Sequence, residues 1–125
     1  MASKKTIILL SGTTQTITNN TAAVDLSTVI GRAWVAHIST GTISGTTPTL
    51  DVVIQQSIDG TNWVVLSTFT QITLASQQEL RYTTTPASDY LRPLLNYVRL
   101  AITVGGSATP TFNSVTVRLL IDPHS

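Results

Sequence analysis

The sequence predicts an all-β protein: a single-domain antiparallel β-sandwich of about eight strands, with a jelly-roll or immunoglobulin-like arrangement. Three observations predict this class. β-branched and apolar residues alternate with Thr, Ser or Gln in runs that end at Gly, Pro, Asn or Asp. No window of about 11 residues or more carries the apolar stripe of a helix. The better strands are apolar on one face only, which is typical of antiparallel sheets packed face to face.

The first third of the chain holds the weakest strand patterns, at 6–10, 14–18 and 21–25. Residues 1–20 are predicted to form an N-terminal arm or edge strand, and 21–125 the sandwich domain. The run before Ser11-Gly12 has charge followed by apolar residues, as in a signal peptide, but its apolar part is too short for one. An apolar run near a chain end can add a strand to a neighbouring subunit. The interface candidates in this run are Ile7, Ile8 and Leu9.

The central strands are predicted at 33–40, 50–58, 62–70 and 79–84. The segment from Gly41 to Pro48, rich in turn residues, is predicted as the loop between the first two of these. In 50–58 one face is apolar apart from Gln56, and it consists of Leu50, Val52, Ile54 and Ile58.

An Asp-Gly pair, Asp59-Gly60, separates strands 50–58 and 62–70. Hairpin turns whose central residues have positive φ select Asn-Gly or Asp-Gly, so the pair predicts a tight turn that fixes the register. Trp63 shares a strand face with Val65 and Phe69 and is predicted to be a core anchor. We therefore assign Asp59, Gly60 and Trp63 structural roles.

The C-terminal strands are predicted at 96–104 and 112–121, joined as a hairpin by the segment from Gly105 to Pro110. The preceding segment, 85–95, contains two prolines and is predicted as a loop. Tyr90 lies in that loop, and Tyr97 lies on the strand face opposite the apolar residues. Tyrosine is enriched at protein interfaces, so both are candidate partner contacts.

Composition narrows the classes of partner. The chain has 125 residues, no cysteine, a net charge of +1 and 10% charged residues, against about a quarter in an ordinary domain. Its arginines are dispersed, so we expect no nucleic-acid partner. No segment approaches the ~20 apolar residues of a membrane span, so we expect no membrane partner. A surface of hydroxyl groups and small apolar side chains suits packing against other proteins, although a β protein with Thr-rich solvent faces would look the same.

Residues suited to catalysis or metal binding are few and scattered. The imidazoles are His37, inside a predicted strand, and His124, next to the C-terminus, and neither lies in a nucleophile or phosphate-binding motif. Glu79 is the only glutamate, and the aspartates show no metal-ligand spacing. We expect no catalytic residues, no cofactor, no metal site and no enzymatic activity.

Two segments resemble a known group of proteins: LDVVIQQSIDGTNWVVLSTFTQIT, from Leu50 to Thr73, and YVRLAITVGGSATPTFNSVTVRLL, from Tyr97 to Leu120. They look like small structural proteins of tailed bacteriophages, of the type found among head genes. The resemblance covers about the C-terminal two-thirds of the chain.

The resemblance implies a non-enzymatic virion component, a capsid decoration (cement) protein on the capsid surface. It implies the major capsid protein or another virion protein as partner, and a homo-oligomer, with a trimer at local threefold positions favoured. Three alternatives stay open. The first is a tail, neck or fibre-associated virion module, the second is a carbohydrate-binding β-sandwich that aids host adsorption, and the third is an enzyme.

Overall fold

The computed structural model describes residues 5–27, 33–82 and 95–122. Within these ranges the secondary structure is all strand, and every strand pair is antiparallel. The strands are β1 (Lys5–Gln15), β2 (Asn19–Asn20), β3 (Val24–Asp25), β4 (Ala33–Ser39), β5 (Ile43–Ser57), β6 (Val64–Thr68), β7 (Gln78–Tyr82) and β8 (Tyr97–Asp122). These residues include no helix that is long and apolar enough to cross a membrane.

β8 is the central strand, and two long stretches of chain run antiparallel along its two edges. On one edge, β1, β2 and β3 pair with it in turn, from Lys5 opposite Ile121 to Asp25 opposite Tyr97. On the other edge, β4 and then β5 do the same, ending with Ser57 opposite Tyr97. β7 extends the sheet beside β4, and β6 extends it beside β5.

This sheet curls over on itself into two layers. The first layer contains β1, the C-terminal half of β8, β4 and β7, and the second contains β2, β3, the N-terminal half of β8, β5 and β6. The bend lies where the β5–β8 register shifts, between Ser44 and Thr49. Residues with positive φ occur on both strands there, including Gly45 and Gly106. Register shifts and positive φ mark β-bulges, which bend a strand while its neighbours stay paired.

The bend corrects two loop predictions. Gly105 to Pro110 does not form a hairpin loop, because β8 continues through it as one strand of 26 residues. Likewise β5 already begins at Ile43, within the predicted loop from Gly41 to Pro48. Glycine and proline fill both segments because the strands bulge there and remain paired to each other. The predicted fold class, an all-β antiparallel single domain of sandwich type, is confirmed.

The core lies between the layers and is built by strand alternation. Each half of β8 sends every second side chain inward, and the fully buried ones include Val98 and Leu100 in one half and Val117 and Leu119 in the other. β4 and β5 contribute to the core in the same way. The strand faces predicted for 96–104 and 112–121 are observed, although Val104 is only partly buried. The buried hydrophobic residues are Leu26, Trp34, Ala36, Ile38, Leu50, Val52, Ile54, Leu66, Phe69, Ile72, Val98, Leu100, Ile102, Phe112, Val115, Val117, Leu119 and Ile121.

Candidate functional site

The loop between β5 and β6 is held by the side chains of Ser57 and Asp59. Asp59 Oδ1 accepts the backbone N–H groups of Thr61 at 2.8 Å and Asn62 at 2.9 Å, and Asp59 Oδ2 accepts the Asn62 side-chain amide at 2.8 Å. Ser57 Oγ donates to Asp59 Oδ1 at 2.9 Å and accepts the backbone N–H of Gly60, also at 2.9 Å. The N–H groups of Asn62 and then Thr61, together with the side chains of Asn62 and Ser57, hold the pKa of Asp59 well below its ordinary value.

The Asp-Gly pair therefore lies in a hairpin with a wide loop, and not in the tight turn that was predicted. The hairpin is confirmed, since β5 and β6 pair up to Gln56 opposite Val64. The tight turn is wrong: Gly60 has a φ of 80°, but Asp59 is not among the positive-φ residues. The loop is wide because the Asp59 carboxylate accepts hydrogen bonds from backbone N–H groups that follow Gly60 in the chain.

Asp59→Asn is expected to destabilise the protein at pH 7, with the difference from wild type shrinking as the pH falls below about 4. The folded state lowers the pKa of Asp59, so ionisation favours folding. This contribution is present in full above the unfolded-state pKa and is lost as pH falls towards the folded-state pKa. Urea unfolding at a series of pH values measures it. Asp51→Asn is the matched control, since Asp51 accepts hydrogen bonds from the Gln71 side chain and not from a loop backbone. A wild-type to Asp59→Asn difference that stays constant down to pH 2 would contradict this role.

Trp63 is not a core anchor. It precedes β6, is half-buried, and lies outside the core cluster. Its ring lies under the Arg99 guanidinium, whose carbon is 4.2 Å from the ring centroid, and Arg99 Nε donates to Gln55 Oε1 at 2.8 Å. Gln55 and Arg99 are cross-strand partners on the outer side of the second layer. The indole therefore packs against a cation on that outer face, whereas Phe69, predicted to share its face, is buried.

Tyr97 lies beside this cluster. It begins β8 opposite Ser57 and is half-buried. Its ring passes over Gly60, where an added Cβ would lie 3.6 Å from Tyr97 Cδ2. Ile58 was predicted to be in the core but is 68% exposed, because β5 ends at Ser57 and Ile58 turns out with the loop.

These residues, with the exposed Val65, form a surface that we call the hairpin patch; its members are Ile58, Trp63, Val65, Tyr97 and Arg99. Tryptophan, tyrosine and arginine are the residue types that most often carry binding energy at protein interfaces. Exposed aliphatic side chains beside them add apolar area that a partner can bury. The patch therefore has the residue composition that is typical of protein interfaces.

The other predicted interface residues differ in their exposure. Ile8 points out of the first layer and is 55% exposed, whereas Ile7 and Leu9 pack against the core. β1 makes its main-chain pairs with β8 of the same chain. Tyr90 lies outside the described residues, and so does His124.

The described side chains show no cluster of three or more metal-ligating groups. His37 lies on β4, where its Nε2 is 3.0 Å from Gln78 Oε1.

No family model matches the sequence, and no curated protein matches it. The fold is similar to that of a chain in the structure of infectious bursal disease virus Gx strain, with a TM-score of 0.53 and 14% sequence identity. The match covers 95% of this chain and 32% of that chain, so this protein spans about a third of the other's length. At this identity the likeness concerns the fold.

Proposed function

We propose that the protein is a non-enzymatic structural component of a virion, a decoration protein that binds the outer surface of a capsid. The observation that carries this proposal is the fold likeness to a chain of a virus structure over 95% of the present chain. The resemblance of the Leu50 to Thr73 and Tyr97 to Leu120 segments to head proteins of tailed bacteriophages supports the finer assignment. The partner is then a major capsid protein or another virion protein.

The hairpin patch is the surface that we propose for this contact. A decoration protein binds many equivalent positions on a lattice, so each contact requires only a modest interface. Ile58 at the loop and Val65 in β6, opposite Gln55, offer apolar area, and the Trp63–Arg99 pair offers a broad, partly ordered contact beside them. Because the loop is already held by Asp59, little further ordering is needed on binding.

Ile58→Ser is expected to lower occupancy on purified heads that lack the protein, by about tenfold in apparent affinity. The substitution removes apolar area that is exposed in the free protein and that only a partner would bury. Co-sedimentation of the labelled protein with heads measures the occupancy. Leu74→Ser is the matched control, since Leu74 is also 68% exposed but lies in the turn before β7. Equal occupancy for both variants and the wild type would exclude the hairpin patch, and no binding of wild type to heads or tails would exclude the virion assignment.

The carbohydrate-binding alternative requires an aromatic ring with a free face for the sugar. The Arg99 guanidinium covers one face of the Trp63 ring at 4.2 Å, which removes that face as a platform. A sugar platform at this position would therefore have to use the opposite face of the Trp63 ring.

A further inference from the structure

The outer side of the first layer is a second surface, separate from the hairpin patch, and we call it the Arg118 face. One cross-strand row runs across it from Ile8 through Arg118 and His37 to Leu80. A neighbouring row places Leu120 opposite Val35, both half-buried. Ile8 and Leu80 are 55% and 57% exposed, so aliphatic side chains stand at both ends of the row that holds Arg118, while the row on its other side, Thr116, Ser39 and Gln78, is polar.

Arg118 has no hydrogen-bond or ion-pair partner among the described residues, and its side chain is exposed. His37, its cross-strand neighbour, is engaged with the Gln78 side chain. The strand positions that make up the two rows carry no carboxylate. An arginine in apolar surroundings binds most strongly to a carboxylate, which it can contact through two hydrogen bonds.

The outer side of the second layer carries such a carboxylate. Asp51 lies opposite Thr103, and the next outward-facing pair along the strands is Val53 and Ala101. We call these four residues the Asp51 face. Asp51 accepts hydrogen bonds only from the Gln71 side-chain amide in the described part of the chain.

The other acids on described side chains are already committed to backbone donors. Asp25 accepts the N–H of Ser27, and Glu79 accepts the N–H of Thr70. Asp59 accepts two N–H groups in its loop. Asp51 differs from these acids in accepting from a side chain alone, and it lies on the outer side of the second layer.

We propose that two copies of this chain associate with the Arg118 face of one on the Asp51 face of the next. Pairing two Arg118 faces would bring together two cations with no carboxylate between them, which costs energy. Pairing unlike faces joins Arg118 to Asp51 and buries Ile8, the strand neighbour of Arg118, against Val53 and Ala101. Arg99, the cation of the second layer, stays at the hairpin end, about 13 Å along β8 from Thr103.

This contact is head to tail, because the two faces belong to opposite layers. A head-to-tail contact leaves each end of a dimer free to add another copy, so association grows along a line. It therefore differs from the closed trimer that the sequence resemblance implies. A standard interface removes about 800 Å² from each partner, about a ninth of this chain's 7082 Å², which one broad face of a two-layer molecule can supply.

Reciprocal charge reversal tests the contact in the isolated protein. Sedimentation velocity over a concentration series is expected to show wild type growing in mass, and Arg118→Asp and Asp51→Arg each associating at least about tenfold more weakly. An equimolar mixture of the two variants is expected to regain association, because the reversed Arg118 face of one fits the reversed Asp51 face of the other. The double variant is expected to recover as well.

Lys5→Asp is the matched control for Arg118→Asp, since it makes the same change in charge at the exposed start of β1 and is expected to associate like wild type. Circular dichroism confirms that each variant is folded. A monomeric wild type, a closed trimer unaffected by Arg118→Asp, or a mixture that fails to recover would each overturn the proposal. The sedimentation experiment contains no capsid. A protein that self-associates but does not bind heads would therefore support this inference and contradict only the proposed function.

Discussion

Phe112→Ala is expected to lower the free energy of unfolding by about 3–5 kcal/mol, a large part of the 5–15 kcal/mol that holds a typical domain together. Phe112 is fully buried and is the largest such side chain among the described residues. It lies in β8 opposite both Gln15 of β1 and Ile43 of β5, directly beside the bend where the layers join. Removing the ring leaves a cavity between strands that are pinned on both sides and cannot collapse into it.

Chemical denaturation of the purified variant measures this loss. Phe112→Leu keeps most of the volume and is expected to cost less than Phe112→Ala, about 1.5 kcal/mol. Ile17→Ala is the surface control, since Ile17 is 69% exposed, and its expected effect is within about 0.5 kcal/mol. A loss below about 1 kcal/mol for Phe112→Ala would mean that the bend is not packed around this ring.

The faces of the strands can be predicted from sequence because strand alternation is a local property. Val98 and Leu100, like Val117 and Leu119, are inward whatever strand lies beside them, since only every second side chain of a strand can meet the opposite layer. The same rule places Tyr97 and Arg99 outward. These positions fix the fold class without knowledge of the strand order.

The bend cannot be predicted in this way. Glycine and proline between two apolar runs are typical of a hairpin loop and equally of a bulged strand, and the two differ only in which partner the segment pairs with. Residues 105–110 stay in β8 because β5, about 60 residues earlier in the chain, pairs along them. A local pattern holds no information about a partner at that distance.

The candidate site was predictable only in part, for a related reason. Extending the alternation back from the buried Phe69 places Val65 and Trp63 inside, but the β5–β6 register shifts between Ile54 and Gln55. This bulge puts Val65 and Trp63 out of phase with Phe69, and Val65 is 43% exposed opposite Gln55. The cluster forms because the β5–β8 register sets Arg99 opposite Gln55. The sequence shows that Arg99 points outward. It does not show the β5–β8 register, which places Arg99 opposite Gln55.

Gly106→Ala is expected to lower the free energy of unfolding by about 3 kcal/mol or more. Gly106 has a φ of 111°, in a region that side chains rarely adopt. A Cβ there would lie 2.8 Å from Thr47 O and 2.9 Å from Pro48 Cα, both backbone atoms of the neighbouring strand. The clash can be relieved only by moving β5 and β8 apart at the bend, which breaks their pairing.

Gly12→Ala measures the cost of a side chain at a left-handed glycine that has no close neighbour. Gly12 also has a positive φ, 59°, but an added Cβ there meets nothing within 4 Å. Its expected loss is about 1 kcal/mol, which is the left-handed backbone cost less the gain from a stiffer unfolded chain. Denaturation curves for the two variants give the difference directly. Equal losses of unfolding free energy in the two variants would mean that β5 and β8 do not approach closely at Gly106. The continuous bent strand would then be wrong, and the hairpin that the local sequence pattern predicts would replace it.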